Sequence, residues 1–477
     1  MIDAVVVGSG PNGLAAAVAI AREGFGVHLI EANAEIGGGT RSAELTLPGL
    51  VHDVCSGIHP FAAGSPFLNS LGLEAEGLRW RYAEVECAHP LDGGRAAALY
   101  REVERTAMGL GPRDGTSWQR LFAPMAERFD VLTAELLRPL LRIPRRPVTA
   151  ARFGLRALRS ASAVARRWSG EEARALFAGC AAHAMHPLDR PTTSAIGLML
   201  IAAGHAVGWP VAEGGSGAIG AALAARLTSL GGTIETGRRV ASLSQLPESR
   251  VVLLDLSPRD VVKVAGDRLP GRVSRALSRY RFGPAAFKLD LAVEGGVPWA
   301  ADVCRRAGTV HVGGTLEEIA AAEADVHRGA IPERPFVLVG QQYLADPGRS
   351  MSGVHPIWAY AHVPAGYAGD ASEPMLSQIE RFAPGFRERI MERRAWTPSE
   401  IEAHNANYVG GDISTGANSP VQVLFRRPRL ALDPYATGTG DVFICSAATP
   451  PGAGVHGMCG ANAAASALRR LRSSRSR

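Results

Sequence analysis

Lysine is almost missing from this chain. Of its 51 basic residues only Lys263 and Lys288 are lysines, and against 45 acidic residues the formal net charge is +6. So small an excess, spread over 477 residues, leaves no electrostatic footprint for nucleic acid, and none is expected as a partner. Cysteine is scarce too. Six residues (Cys55, Cys87, Cys180, Cys304, Cys445 and Cys459) are scattered with no C-x-x-C pair, which excludes a disulfide framework and points to reduced, cytoplasmic thiols. No apolar run is long enough to span a bilayer. The longest, roughly Ala195 to Val207, is broken by Gly197, Gly204 and His205 and falls short of the ~20 residues required. The opening Met1-Ile2-Asp3-Ala4 has no basic lead, so no secretory signal is expected. His52, Asp53, His59, His183 and His186 lack metal-ligand spacing, so no metal is expected. No G-x-S-x-G elbow supports hydrolase chemistry. What remains is ordinary globular composition, 46% hydrophobic and 20% charged, in a length that allows two or three domains at ~150 residues each.

The strongest signal is at the start. Ala4-Val5-Val6-Val7 reads as a strand buried on both faces of a parallel sheet. It runs into Gly8-Ser9-Gly10-Pro11-Asn12-Gly13 and a helix-forming stretch from Leu14 to Ala21. Gly24 stops that helix, Val27-His28-Leu29-Ile30 reads as a second strand, and Glu31 stands 18 positions after the last glycine. This is G-x-G-x-x-G in its required context. Gly8 permits the tight turn, Gly10 lets backbone approach a pyrophosphate, and Gly13 allows close helix–strand packing. The free N–H groups of the helix start are expected to hold the phosphates, and Glu31 to accept from the ribose hydroxyls.

Downstream, Glu31-Ala32-Asn33 leads into Gly37-Gly38-Gly39-Thr40-Arg41, a cluster for which a nicotinamide dehydrogenase has no use. It resembles the second fingerprint of the FAD-dependent amine-oxidase superfamily, in which backbone and arginine reach the FAD diphosphate. The planar fork of Arg41 suits that task. At the far end, the strand Asp441–Cys445 precedes Pro450-Pro451-Gly452-Ala453-Gly454-Val455-His456-Gly457-Met458. That segment resembles the C-terminal flavin motif of the phytoene dehydrogenase and retinol saturase-like branch. The resemblance implies that it contacts the isoalloxazine and that a helix starting beyond it stabilises the reduced ring. Mid-chain, a second glycine pattern (Gly215 to Gly220) follows Trp209-Pro210, where a central strand cannot run. It is read as the superfamily's proline–glycine segment before a helix over Leu223–Leu230. Val240 then falls in the family segment whose backbone meets the adenine.

The expected fold is α/β: a discontinuous Rossmann-like FAD-binding domain (1–70, 205–275 and 415–477) interleaved with an α+β substrate domain (71–204 and 276–414). In the latter, Ala286–Val293 alternates, placing Phe287, Leu289 and Leu291 on one face and Lys288 and Asp290 on the other. Lys288, whose counterpart in many relatives holds a water at flavin N5, and His456 are the candidate catalytic groups, against a plain Lys288–Asp290 pair on a solvated face. Trp358, Tyr360 and His362 share a strand face and are expected to line a substrate cavity. Around the helical wheel, Arg152, Arg156, Arg159, Arg166 and Arg167 oppose Phe153, Ala157, Leu158, Ala161, Val164 and Trp168. This basic 148–168 helix is either a peripheral membrane contact or a lid packed on its own domain. The tail from Arg469 to Arg477 reads as a frayed end.

The resemblance implies an FAD-dependent dehydrogenase or desaturase that passes a hydride from a lipophilic, isoprenoid-like substrate to flavin N5, with O2 or a quinone as acceptor. The other readings are a flavin amine oxidase, a redox-neutral carotenoid-type isomerase and a non-catalytic FAD-binding protein.

Overall fold

The computed structural model describes residues 2–139, 142–425 and 427–473. Its first layer is a five-stranded parallel sheet in the order Val442–Ile444, Val251–Leu254, Ala4–Val7, Val27–Ile30 and Thr233–Glu235. The central strand is buried along its whole length, as its unbroken valines require. It turns into the helix Pro11–Ala21, where the proline stands at the first helical position and its missing N–H costs nothing. The helix Met458–Ser473 lies across it so closely that a Cβ on Gly460 would stand 1.9 Å from the Asn12 carbonyl. The helices Pro11–Ala21 and Met458–Ser473 thereby share one core.

The second layer is a seven-stranded sheet in the order Ile390–Trp396, Ala285–Glu294, Val354–Val363, Val337–Gly340, Ala307–Val312, Val85–Pro90 and Ala96–Leu99, antiparallel except at the 307–312/85–90 pair. Phe287, Leu289 and Leu291 enter one core with Trp299 and Ile379. The opposite face gathers Ala286, Trp358, Tyr360 and Trp396. The helices Pro112–Ala126, Glu171–Ala182 and Ser194–Ala206 pack around Trp118, Phe122, Trp168 and Phe177, each such side chain contributing roughly 2–3 kcal/mol by burial. The apolar stretch near 195–207 is thus one of these core helices. Among the described residues no helix is long and apolar enough to cross a membrane.

Two sequence expectations are corrected here. The basic 148–168 segment is not one helix but two, Pro147–Ala157 and Ala161–Ala165. Ser160 caps the second by accepting from the Ala163 N–H, and the Ser194 hydroxyl engages the carbonyls of Arg156 and Arg159, each at 2.8 Å. Leu158, expected on the apolar face, is consequently 52% exposed. Nor is the tail frayed over 469–473: the last helix continues to Ser473, with Leu471 fully buried, Arg469 paired to Asp433 and Arg472 to Glu23. Residues 474–477 lie outside the described residues.

Candidate functional site

The carboxyl ends of the strands Ala4–Val7, Val27–Ile30 and Val251–Leu254 open into one cavity of about 470 Å³, the place where parallel α/β sheets bind ligands. Gly8, Gly10, Pro11 and Asn12 form one wall and Gly38, Gly39 and Arg41 another. Gly8 holds φ at 101°, which an ordinary residue resists. The two glycine clusters touch, since a Cβ on Gly38 would lie 2.9 Å from the Gly10 Cα. Gly13 is needed for packing rather than as lining, because a Cβ there would stand 2.0 Å from the Gly8 carbonyl oxygen. Thr40 is likewise internal, its hydroxyl donating to the Gly37 carbonyl at 2.8 Å.

Glu31, Ala32 and Val240 line the cavity. One Glu31 oxygen accepts from the Ser9 amide (2.9 Å) and hydroxyl (2.7 Å), and the other from the Asn33 amide (2.8 Å) and side chain (3.0 Å). Burial opposes its charge, but these bonds and nearby Arg41 outweigh it and hold the carboxyl below its ordinary range. The Arg41 guanidinium donates to the carbonyls of Glu35 (2.9 Å), Ile36 (3.3 Å) and His404 (3.4 Å), leaving N–H groups of its fork for a ligand.

The glycine pattern predicts helix N–H groups free for phosphate. The structure shows otherwise at Gly13, whose N–H donates to Asp255 Oδ2 at 3.0 Å. Asp255 follows the strand Val251–Leu254, lines the cavity and stands under the glycine turn. Burial and the charge of Glu31 push its carboxyl up to about 7, against the lowering effect of the Gly13 and Gly10 amides. Near neutrality it carries a proton about half the time, and a protonated carboxyl tolerates a phosphate that a carboxylate would repel.

From the C-terminal segment Gly454 and Val455 line the cavity. His456, Gly457 and Met458 do not. The His456 ring is buried, and its Nδ1 accepts from the Met458 N–H at 3.1 Å. Burial pushes it down to about 4, so it is a neutral cap on the last helix, not a group facing the cavity. Gly457 packs against Ala15, and Met458 starts that helix.

Beyond this end the cavity becomes apolar, walled by Phe61, Ile196, Leu200, Leu338, Trp358 and Tyr360. Trp358 and Tyr360 meet edge to face, 5.2 Å between centroids. His362 does not join them on the wall, because its Nδ1 is drawn to Glu323 at 2.6 Å. Lys288 lines a small adjoining hollow with Cys55, Trp358, Tyr360, His404 and Tyr408. Its ammonium pairs with Asp290, which also accepts from Trp396 Nε1 at 2.9 Å. The pair expected on a solvated face is therefore present, but Lys288 is only 4% exposed and Asp290 fully buried. Burial lowers the Lys288 pKa, while Asp290 counteracts it.

Several wall residues were not identified from sequence: Asp255, the helix end and loop at 403–408, His183, Met185, Thr192 and Arg427. Among the described residues five non-glycine positions hold positive φ, and four of them (Met185, Thr192, Thr415 and Val455) line this cavity; such strain collects at functional sites. Residues of its wall also carry buried polar atoms without partners, among them Asn12 Oδ1, Thr309 Oγ1, Trp358 Nε1 and Ser446 Oγ. The cradle that tolerates no Cβ and the orphaned Asn12 amide fit a dinucleotide such as FAD.

Residues 6–70 match the family described as an NAD(P)-binding Rossmann-like domain. The pyridine nucleotide-disulfide oxidoreductase domain-containing protein 2 of Mus musculus is 24% identical over 98% of this chain and 94% of its own, as is that of Rattus norvegicus. Among solved structures, an oxidoreductase from Methanosarcina mazei aligns with a TM-score of 0.62 at 15% identity, covering 98% of this chain and 100% of that one. Putrescine oxidase bound to putrescine gives 0.60 at 16% (100% and 99% covered), and cyclohexylamine oxidase from Brevibacterium oxydans 0.56 at 14% (100% of both). The chain has the mixed α/β fold of these oxidoreductases, a parallel Rossmann-like sheet beside a separate, mainly antiparallel one.

Proposed function

We propose that this chain is an FAD-dependent oxidoreductase of phytoene dehydrogenase-like type that dehydrogenates a lipophilic substrate. The observation that carries this reading is the continuity of one cavity from the glycine turn to the apolar compartment of Ile196, Leu200 and Leu338. FAD, when bound, would supply a two-electron acceptor for a hydride from one substrate carbon. The neighbouring carbon would give its proton to water as the double bond forms, with O2 or a quinone as the final electron acceptor. Gly10, Glu31, Gly38 and Arg41 would hold the dinucleotide, and Gly454 and Val455 the ring.

The chain's own contribution to the chemistry is positioning and dryness. Burial pushes His183 down to about 3 and His404 to about 4, too low for either to serve as an effective base at neutral pH. Putrescine oxidase and cyclohexylamine oxidase share the fold, yet amine oxidation is disfavoured by charge. The acidic residues of the described wall are Glu31 and Asp255, both at the dinucleotide end, so no carboxylate awaits an ammonium in the apolar half. Exposed Ile143, Val148, Leu155 and Leu158 stand among the arginines of 142–159, which supports a peripheral membrane contact through which a greasy substrate arrives. The test is anaerobic mixing of the oxidised protein with polyisoprenoid, acyl and amine panels. Bleaching of the 450 nm band by the lipophilic panel is expected. Bleaching by amines alone, or by nothing, overturns the proposal.

A further inference from the structure

Arg427 stands apart from the other described arginines. It is 5% exposed and lines the main cavity, yet its partners are uncharged. Its Nε and Nη2 reach the Ala447 carbonyl at 3.3 and 3.0 Å, Nη2 also the Ser414 carbonyl at 3.0 Å, and Nη1 only the Asn418 side-chain oxygen at 3.5 Å. Among the described residues no carboxylate pairs with it. Asp412, whose carboxyl feels this charge, is already bound by the N–H groups of Gly283, Ser414 and Gly416. A guanidinium held in a dry wall without a counter-ion is costly until an anion completes it, and the weakly engaged Nη1 edge is free to take one in fork geometry. Arg427 also borders a second hollow, lined by Arg138 and Arg429 as well, so the positive lining continues from that hollow to the cavity wall.

We propose that Arg427 is the anion-recognition residue of the apolar compartment and that the substrate carries a carboxylate at one end of a hydrocarbon body. This rests on the oxidoreductase reading and narrows its substrate from lipophilic to acidic amphiphile. The guanidinium fixes the head, and the depth of the apolar wall then decides which carbons lie against the cofactor.

Titration calorimetry on the purified full chain tests this, with flavin content read from the visible spectrum of the same sample. Octanoate is expected to bind at least tenfold more tightly than 1-octanol. R427M should lose at least tenfold in octanoate affinity with octanol unchanged, and R427K should keep part of the preference. Equal binding of the two probes to the unmodified chain refutes the proposal without any variant, as does an R427M that keeps the preference. Inorganic phosphate binding as tightly as octanoate and displaced by it would refute the amphiphile in favour of a free anion. Loss of flavin from R427M in step with octanoate affinity would assign the guanidinium to the cofactor instead. A colourless protein that still prefers octanoate would sink the flavin reading while leaving Arg427 an acid-binding residue.

Discussion

Replacing Asp255 by asparagine removes the carboxyl under the glycine turn, where the proposed dinucleotide would bring phosphate charge. Its folded pKa of about 7 lies above the ordinary 3.8, so the folded state holds its proton more tightly than the unfolded chain does. The sign follows: Asp255 costs no stability below about pH 4, and the penalty grows as pH rises until it levels off above 7. Between pH 5 and pH 8 that amounts to about 3 kcal/mol. Asparagine keeps an acceptor for the Gly13 N–H and does not titrate. The stability of D255N minus that of the unmodified protein should therefore rise by about 3 kcal/mol from pH 5 to pH 8, read from urea unfolding of the cofactor-free chains at each pH. Taking the difference matters because buried His59, His89 and His205, each pushed down to about 4, contribute stability above pH 6.5 that is lost as pH falls. If the proposed dinucleotide sits over the glycine turn, the same proton bears on its binding. FAD affinity should weaken by up to tenfold per pH unit above 7 in the unmodified protein and stay flat in D255N. Parallel pH profiles for the two proteins, in stability and in FAD affinity, would refute the reasoning.

Three further outcomes follow from named contacts. K288M strands Asp290 in the core and should cost about 3–5 kcal/mol of unfolding free energy; a loss below 1 kcal/mol with a collapse in turnover would instead make the lysine catalytic. H456A removes the acceptor for the Met458 N–H and should lower stability by about 1 kcal/mol, with flavin retained and the substrate-dependent bleaching rate within a few-fold; a hundredfold slower rate at full flavin content would contradict the capping role. Changing Arg152, Arg156 and Arg159 to glutamate should abolish flotation with phosphatidylserine vesicles if 142–159 meets lipid. Unchanged flotation, or none in the unmodified protein, rejects that surface.

Local pattern carried the dinucleotide half of the fold. Strand 27–30 begins and ends where its residues indicate, and the first strand, the glycine turn and the helix after it lie as the spacing requires, because each is set by neighbours within about thirty residues. The alternation in 286–293 likewise puts Phe287, Leu289 and Leu291 in one core, and that in 357–363 groups Trp358 and Tyr360 on the opposite face, where they line the cavity. Tertiary contacts defeated the rest. Helical periodicity ran Arg152 to Trp168 into one helix because nothing local reveals that Ser194, from a distant segment, captures the carbonyls of Arg156 and Arg159. His362 and His456 were placed on the cavity by pattern and resemblance, but Glu323 and the Met458 amide claim their rings. Asp255 and Arg427 were missed because neither belongs to a motif. The legible trace of Asp255 was its place at the carboxyl end of a parallel strand; Arg427 left none, since its significance is that no carboxylate among the described residues pairs with it.

The most direct test of the central claim is to purify the chain natively, record its visible spectrum and release the chromophore by acid. About one FAD per chain, with bands near 375 and 450 nm, is the expected result. A colourless protein that stays colourless after dialysis against FAD at pH 6, where Asp255 is largely protonated, would contradict it.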